Sequence, residues 1–175
     1  MTSDIAPPTL YHAVGQGALA IEIRADDAEA RRLCSALVHW QTSWRCLAER
    51  ACLRVLEGGC SVPVGVYSKL VPVLTSSEGQ GGAGEDDVPR TARLLLVGTI
   101  TALDGSHHIE RELRRLVNSS NQAEELGTQV AKDLISSGGR EILEQVAKDR
   151  EQRAAESEAQ NIDTAVVEEK ASPSQ

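Results

Sequence analysis

Few side chains in this 175-residue chain could do chemistry: Cys34, Cys46, Cys52 and Cys60, His12, His39, His107 and His108, and the segment Gly15-Gln16-Gly17. The cysteine intervals of 12, 6 and 8 residues fit neither a Cys-x-x-Cys zinc site nor a redox dithiol. Cys34, Cys46 and Cys52 fall on predicted helices, where a thiol packs as a small hydrophobe. Cys60 instead follows Gly58 and Gly59 at a predicted helix-to-strand junction. A thiol projecting from such a bend can form a covalent bond to something bulky, with a purely structural role as the competing reading. No His or Asp close in sequence announces a thiol-protease arrangement. His107 and His108 are adjacent in a predicted strand and point to opposite faces, and His12 and His39 have no Cys or carboxylate at ligand spacing, so no metal site is expected. Gly15-Gln16-Gly17 precedes a predicted strand instead of following one, and Ala20 occupies the third glycine position of a dinucleotide fingerprint. It reads either as a turn that lets backbone pass close to a neighbour or as a ligand-facing turn. Arg111, Arg114 and Arg115 are interleaved with Glu110 and Glu112, and strand alternation divides them between two faces, which favours cross-strand charge pairs over an anion site.

The elements that must position these residues follow from periodicity. Residues 18–24 alternate as a strand, and Asp26 or Asp27 starts a helix to about Val38 with Ala30, Leu33, Ala36 and Leu37 on one side. Trp44, Leu47, Ala51 and Val55 recur at helical spacing from about Gln41, and Gly58 can end that helix. Val62–Val73 reads as a strand with Pro63 at its start, and 76–89 as a Gly-rich acidic mobile loop. Ala92–Leu103 and His107–Leu116 form two strands around an Asp104-Gly105 hairpin turn. Asn121 with Glu124 resembles a capping box, opening a helix striped by Leu126, Val130 and Leu134 and closed by Gly138. A shorter helix with Ile142, Leu143 and Val146 follows, and the chain loses its apolar face beyond about Arg150. The sum is an α+β fold in which a three-stranded antiparallel sheet packs on helices.

Composition narrows the function classes. With 41% hydrophobic residues, no Phe, two Trp and two Tyr, the core must be aliphatic, and an aromatic nucleic-acid platform is excluded. The net charge of −8 opposes binding to nucleic acid or an anionic membrane, and half of it, −4, lies in residues 151–175. No apolar run is long enough to span a membrane, and residues 1–8 lack the layout of a secretion signal, so a cytoplasmic chain with free thiols is expected.

Ala13-Val14-Gly15-Gln16-Gly17-Ala18-Leu19, then Ala48-Glu49-Arg50-Ala51, then Leu56-Glu57-Gly58-Gly59-Cys60-Ser61-Val62-Pro63-Val64-Gly65 closely resemble the porphobilinogen deaminase, or hydroxymethylbilane synthase, family. The likeness runs from about Tyr11 to about Val146 and includes the Asp104-Gly105 hairpin and the paired C-terminal helices. It departs at Ser61, where many relatives carry Gln, and in the longer acidic segment at 76–89.

The resemblance implies a transferase of tetrapyrrole and heme biosynthesis. In the family, the cysteine of Gly-Gly-Cys-x-Val-Pro carries a dipyrromethane cofactor through a thioether, a role that maps onto Cys60. Four porphobilinogen units join this primer and the linear tetrapyrrole hydroxymethylbilane is released, with loss of ammonia. Gly15, Gln16 and Gly17 become candidates for contact with the cofactor or substrate. The resemblance also implies that residues 1–38 hold the returning strand and helix of a first domain, that 39–150 form the cofactor-anchoring third domain, and that 151–175 are an acidic disordered tail. The family's cleft, with its catalytic aspartate and carboxylate-binding Arg and Lys residues, belongs to an N-terminal portion outside this sequence. No catalytic residue is therefore assigned here, and the chain alone is expected to be inactive. Its expected partners are porphobilinogen, the growing polypyrrole and the missing N-terminal part. Two rival functions are a non-enzymatic interaction domain and a thiol-regulatory protein acting through Cys60.

Overall fold

A computed structural model describes residues 5–56, 63–73 and 90–153. Its elements are α1 (Ala28–Ser35), α2 (Trp40–Val55), β1 (Val64–Pro72), β2 (Ala92–Thr101), β3 (His108–Val117) and α3 (Ser120–Leu134), followed by a kink at Ile135–Gly139 and helix α4 at 140–153. The strands form an antiparallel sheet in the order β1-β2-β3, so the fold is α+β as the periodicity predicts.

The β2 alternation explains the layering. Leu94, Leu96 and Ile100 have no exposed surface and face the helices, while Gly98 between them leaves room for Val130, Leu134 and Cys52. Helix α2 and its C-cap contribute Trp44, Ala48, Cys52 and Leu56 to the core, and α3 contributes Ala123, Leu126, Val130 and Leu134. The two helices cross where Gly127 lies against the backbone carbonyl of Ala48, so closely that a Cβ at 127 would collide with that oxygen. Glycine is required there by contact between backbones, which no local pattern announces.

Local signals account for most boundaries. Asp27 caps α1 by accepting the Ala30 amide at 2.8 Å. Gly105 takes φ +74° in the hairpin, and Asp104 accepts both the amide and the hydroxyl of Ser106, which hold its carboxyl below the ordinary range. Gly138 at φ +101° separates α3 from α4, whose Ile142 and Val146 complete the core.

Four expectations are corrected. Residues 18–24 form no strand, because no strand among the described residues pairs with them. Helix α1 stops at Ser35, short of Val38, and its apolar stripe is not buried: Leu33, and Leu37 beyond the helix end, are 59% and 72% exposed. The cap of α3 is Ser119, which accepts the Gln122 amide, while Gln122 Oε1 accepts the Asn118 amide, so Ser119 and Gln122, with Asn118, start the helix instead of Asn121 and Glu124. On β3, Arg114 bonds Glu112 of its own strand at 2.6 Å, because among the described residues β3 has one neighbour and that neighbour presents Leu95 and Val97 beside them. The predicted helix exit at Gly58, the loop at 76–89 and residues 154–175 lie outside the described residues, while 151–153 still belong to α4.

Candidate cofactor-anchoring site

Two segments carry the residues singled out on sequence grounds. Cys60 belongs to 57–62, outside the described residues, in the connection between Leu56 at the end of α2 and Pro63 at the entry to β1. Both flanks are secured. Leu56 is buried and its amide bonds the Cys52 carbonyl, while the Pro63 carbonyl accepts the Thr101 amide at 3.1 Å.

The Gly15-Gln16-Gly17 turn is built by two successive backbone hydrogen bonds, Gln16 N–H to Ala13 at 3.1 Å and Ala18 N–H to Gly15 at 3.0 Å. Gly15 and Gly17 lie at φ +68° and +77°, and a Cβ at either would meet nothing within 4 Å. These glycines serve backbone conformation, not the close passage of a neighbouring chain, and the exposed Gln16 stands between them.

Long-range contacts fix the segment before this turn. His12 exchanges both backbone hydrogen bonds with Val66, at 3.0 and 2.8 Å, and so covers part of the free edge of β1. Tyr11 lies against Gly65 and donates its phenol to Glu110 at 2.5 Å. The turn itself is tied to α2 by the Gly15 amide, which donates to Glu49 Oε2 at 2.8 Å. Glu49 is buried, with 7% exposed. Its other oxygen accepts the Ser68 hydroxyl at 2.5 Å, and Ser68 Oγ accepts Arg45 Nε at 2.8 Å.

Sequence reasoning gave Glu49 no role, although it stands in the Ala48-Glu49-Arg50-Ala51 segment that carries the resemblance, and missed Ser68, Arg45 and Tyr11. The available signal was weak: Glu49 lies between the core positions Ala48 and Ala51, one helical turn after Arg45, a spacing equally suited to a solvated face.

The thiols divide by environment. Cys34, Cys46 and Cys52 are free. Burial pushes the Cys52 thiol up to about 12, and burial with the nearby Glu49 carboxylate raises Cys46 as well, which is opposite to an activated nucleophile. The histidines are dispersed: His39 Nδ1 meets Thr42, His108 Nδ1 meets Thr101, and His107 Nδ1 meets Ser106. Among the described residues no three His, Cys, Asp or Glu side chains converge as metal ligands. A cavity of about 900 Å³ lies between the β2–β3 hairpin and α4, lined in part by Leu103, His107, Ile142 and Val146, away from residues 15–17.

Residues 43–136, from α2 to the α3–α4 kink, match the family model described as "Porphobilinogen deaminase, C-terminal domain". The chain belongs to the porphobilinogen deaminase family. It is 38% identical over 154 residues to porphobilinogen deaminase of Schizosaccharomyces pombe, covering 88% of this chain and 40% of that protein. The protein of the same name from Synechococcus sp. strain RCC307 is 43% identical over 142 residues, 81% of this chain and 38% of that one. For Gloeobacter violaceus the figures are 42% over 144 residues, 81% and 37%. The chain thus spans about two fifths of the length of these curated porphobilinogen deaminases.

Proposed function

We propose that this chain is the cofactor-anchoring C-terminal portion of a cytoplasmic hydroxymethylbilane synthase, with Cys60 as the attachment point of dipyrromethane. The observation that carries the reading is the match of residues 43–136 to the C-terminal domain of porphobilinogen deaminase, with Cys60 inside the matched range. When bound, the group supplies a two-ring primer to which pyrrole units are joined.

The residues present fit such a group. A thioether is a stable carbon–sulfur link, and the connection carrying Cys60 runs between two secured elements, so an anchored group is held by α2 and β1 together. Cys52 is committed to the core and Cys46 is partly buried with its thiol raised, leaving both poorly suited to attack. The exposed side of the glycine turn can present the Gln16 carboxamide to a polar ligand.

In this reading porphobilinogen and the growing polypyrrole are the substrates, and condensation draws on groups from the remaining three fifths of the family's length. These 175 residues alone do not turn porphobilinogen over. The test is the intact mass of the purified chain after exposure to preformed linear tetrapyrrole, beside Cys60→Ala. A gain equal to the tetrapyrrole less one water, its hydroxymethyl carbon having bonded to the thiol sulfur, is expected, and it is absent from Cys60→Ala. An unmodified mass, or a gain that persists in Cys60→Ala, overturns the anchoring role.

A further inference from the structure

We infer that Glu49 is the positioning residue of the glycine turn, locking Gly15-Gln16-Gly17 to the seam between α2 and β1. The functional half of this inference rests on the reading of the turn as a cofactor or substrate contact. The geometry stands independently.

Three separate parts of the chain meet at one carboxylate. Arg45 and Glu49 lie one turn apart on α2, Ser68 comes from β1, and Gly15 from the N-terminal segment. Donors and acceptors match in order. A guanidinium and a backbone amide only donate, an ionised carboxylate only accepts, and the Ser68 hydroxyl does both. Arg45 occupies an acceptor site on Ser68, and Ser68 directs its proton to Glu49 Oε1, leaving Oε2 to the Gly15 amide. A carboxylate held from both sides and nearly removed from solvent has a fixed orientation, and charge-assisted hydrogen bonds are the stronger kind. The turn needs such support. Two residues at positive φ with open space around them gain nothing from side-chain packing, and residues 18–24 downstream have no strand partner among the described residues.

The arrangement restrains one end of the turn, at Gly15, and leaves Gln16 and Gly17 exposed to meet a ligand. A side chain serving only the stability of α2 would not need a partner 34 residues away in sequence.

Amide hydrogen exchange of the full chain, read residue by residue, tests this with Glu49→Gln and Ser68→Ala beside the unsubstituted protein. Glu49→Gln keeps size and one carbonyl acceptor but sets an N–H₂ against one of the two donors. The Gly15 amide is expected to exchange about tenfold faster or more in Glu49→Gln, the scale of one lost charge-assisted bond. In Ser68→Ala it is expected to exchange faster by a smaller factor, with Leu96 and Ile100 of the core unchanged in both variants. Equal protection of Gly15 in all three proteins, or a parallel rise at Gly15 and the core amides, overturns the inference. Where the unsubstituted chain acquires the primer, Glu49→Gln should acquire it several-fold more slowly while Cys60 alkylates with iodoacetamide at an unchanged rate. An unchanged loading rate despite a released turn overturns the positioning role. A chain that never loads rejects the anchoring reading alone, and the exchange data still decide whether Glu49 holds the turn.

Discussion

Tyr11 reports on how firmly the N-terminal segment is attached. Burial, together with the Glu110 and Glu112 carboxylates, pushes its phenol from 10.0 up to about 12. The folded state holds this proton more tightly than the unfolded chain. The contribution to stability is therefore complete below pH 10 and lost as pH rises through about 12. In an ultraviolet titration of phenolate, one tyrosine should ionise near 12, and that late phase should vanish in Tyr11→Phe. A titration with no late phase would show that Tyr11 does not hold Glu110. The residue scale was only partly legible in sequence. Cys60 and the two glycines stand out because their types and spacing are unusual, whereas Glu49 resembles any helical glutamate until Ser68 and Gly15 are brought to it.

At the scale of elements, the crossing of α2 and α3 governs the sheet's cover. An alanine in a helix interior ordinarily improves on glycine by about 1 kcal/mol. At Gly127 the added methyl would meet the Ala48 carbonyl, a backbone atom that cannot swing away. Gly127→Ala should therefore lose ~3 kcal/mol, the upper range for overpacking, seen as a lower urea midpoint at unchanged slope. A gain in stability would mean that the helices do not approach this closely. Strand and helix identities were readable because hydrophobic periodicity is local, and Gly105 and Gly138 marked turns because positive φ is a property of one residue. The helix crossing was not readable, since Gly127 inside a helix carries no sign of what passes it.

For the whole molecule, the notable surface is apolar and N-terminal. Leu19 is fully exposed, Ile21 is 60% exposed, and Leu37 and Val38 are 72% and 59% exposed, on a chain of net charge −8. Sedimentation velocity should show concentration-dependent self-association that Leu19→Ser with Leu37→Ser reduces without lowering Tm. Association unaffected by the pair would place the contact elsewhere. The amino-acid sequence by itself determined the α+β class, the order of the observed strands and helices and the Gly58-Gly59-Cys60 pattern, because each depends on neighbours a few residues apart. Tertiary structure alone decided that residues 18–24 are not a strand, that His12 covers the edge of β1, and that Glu49 holds the glycine turn. A strand requires a partner, and a buried carboxylate requires donors, and in this chain those come from residues distant in sequence.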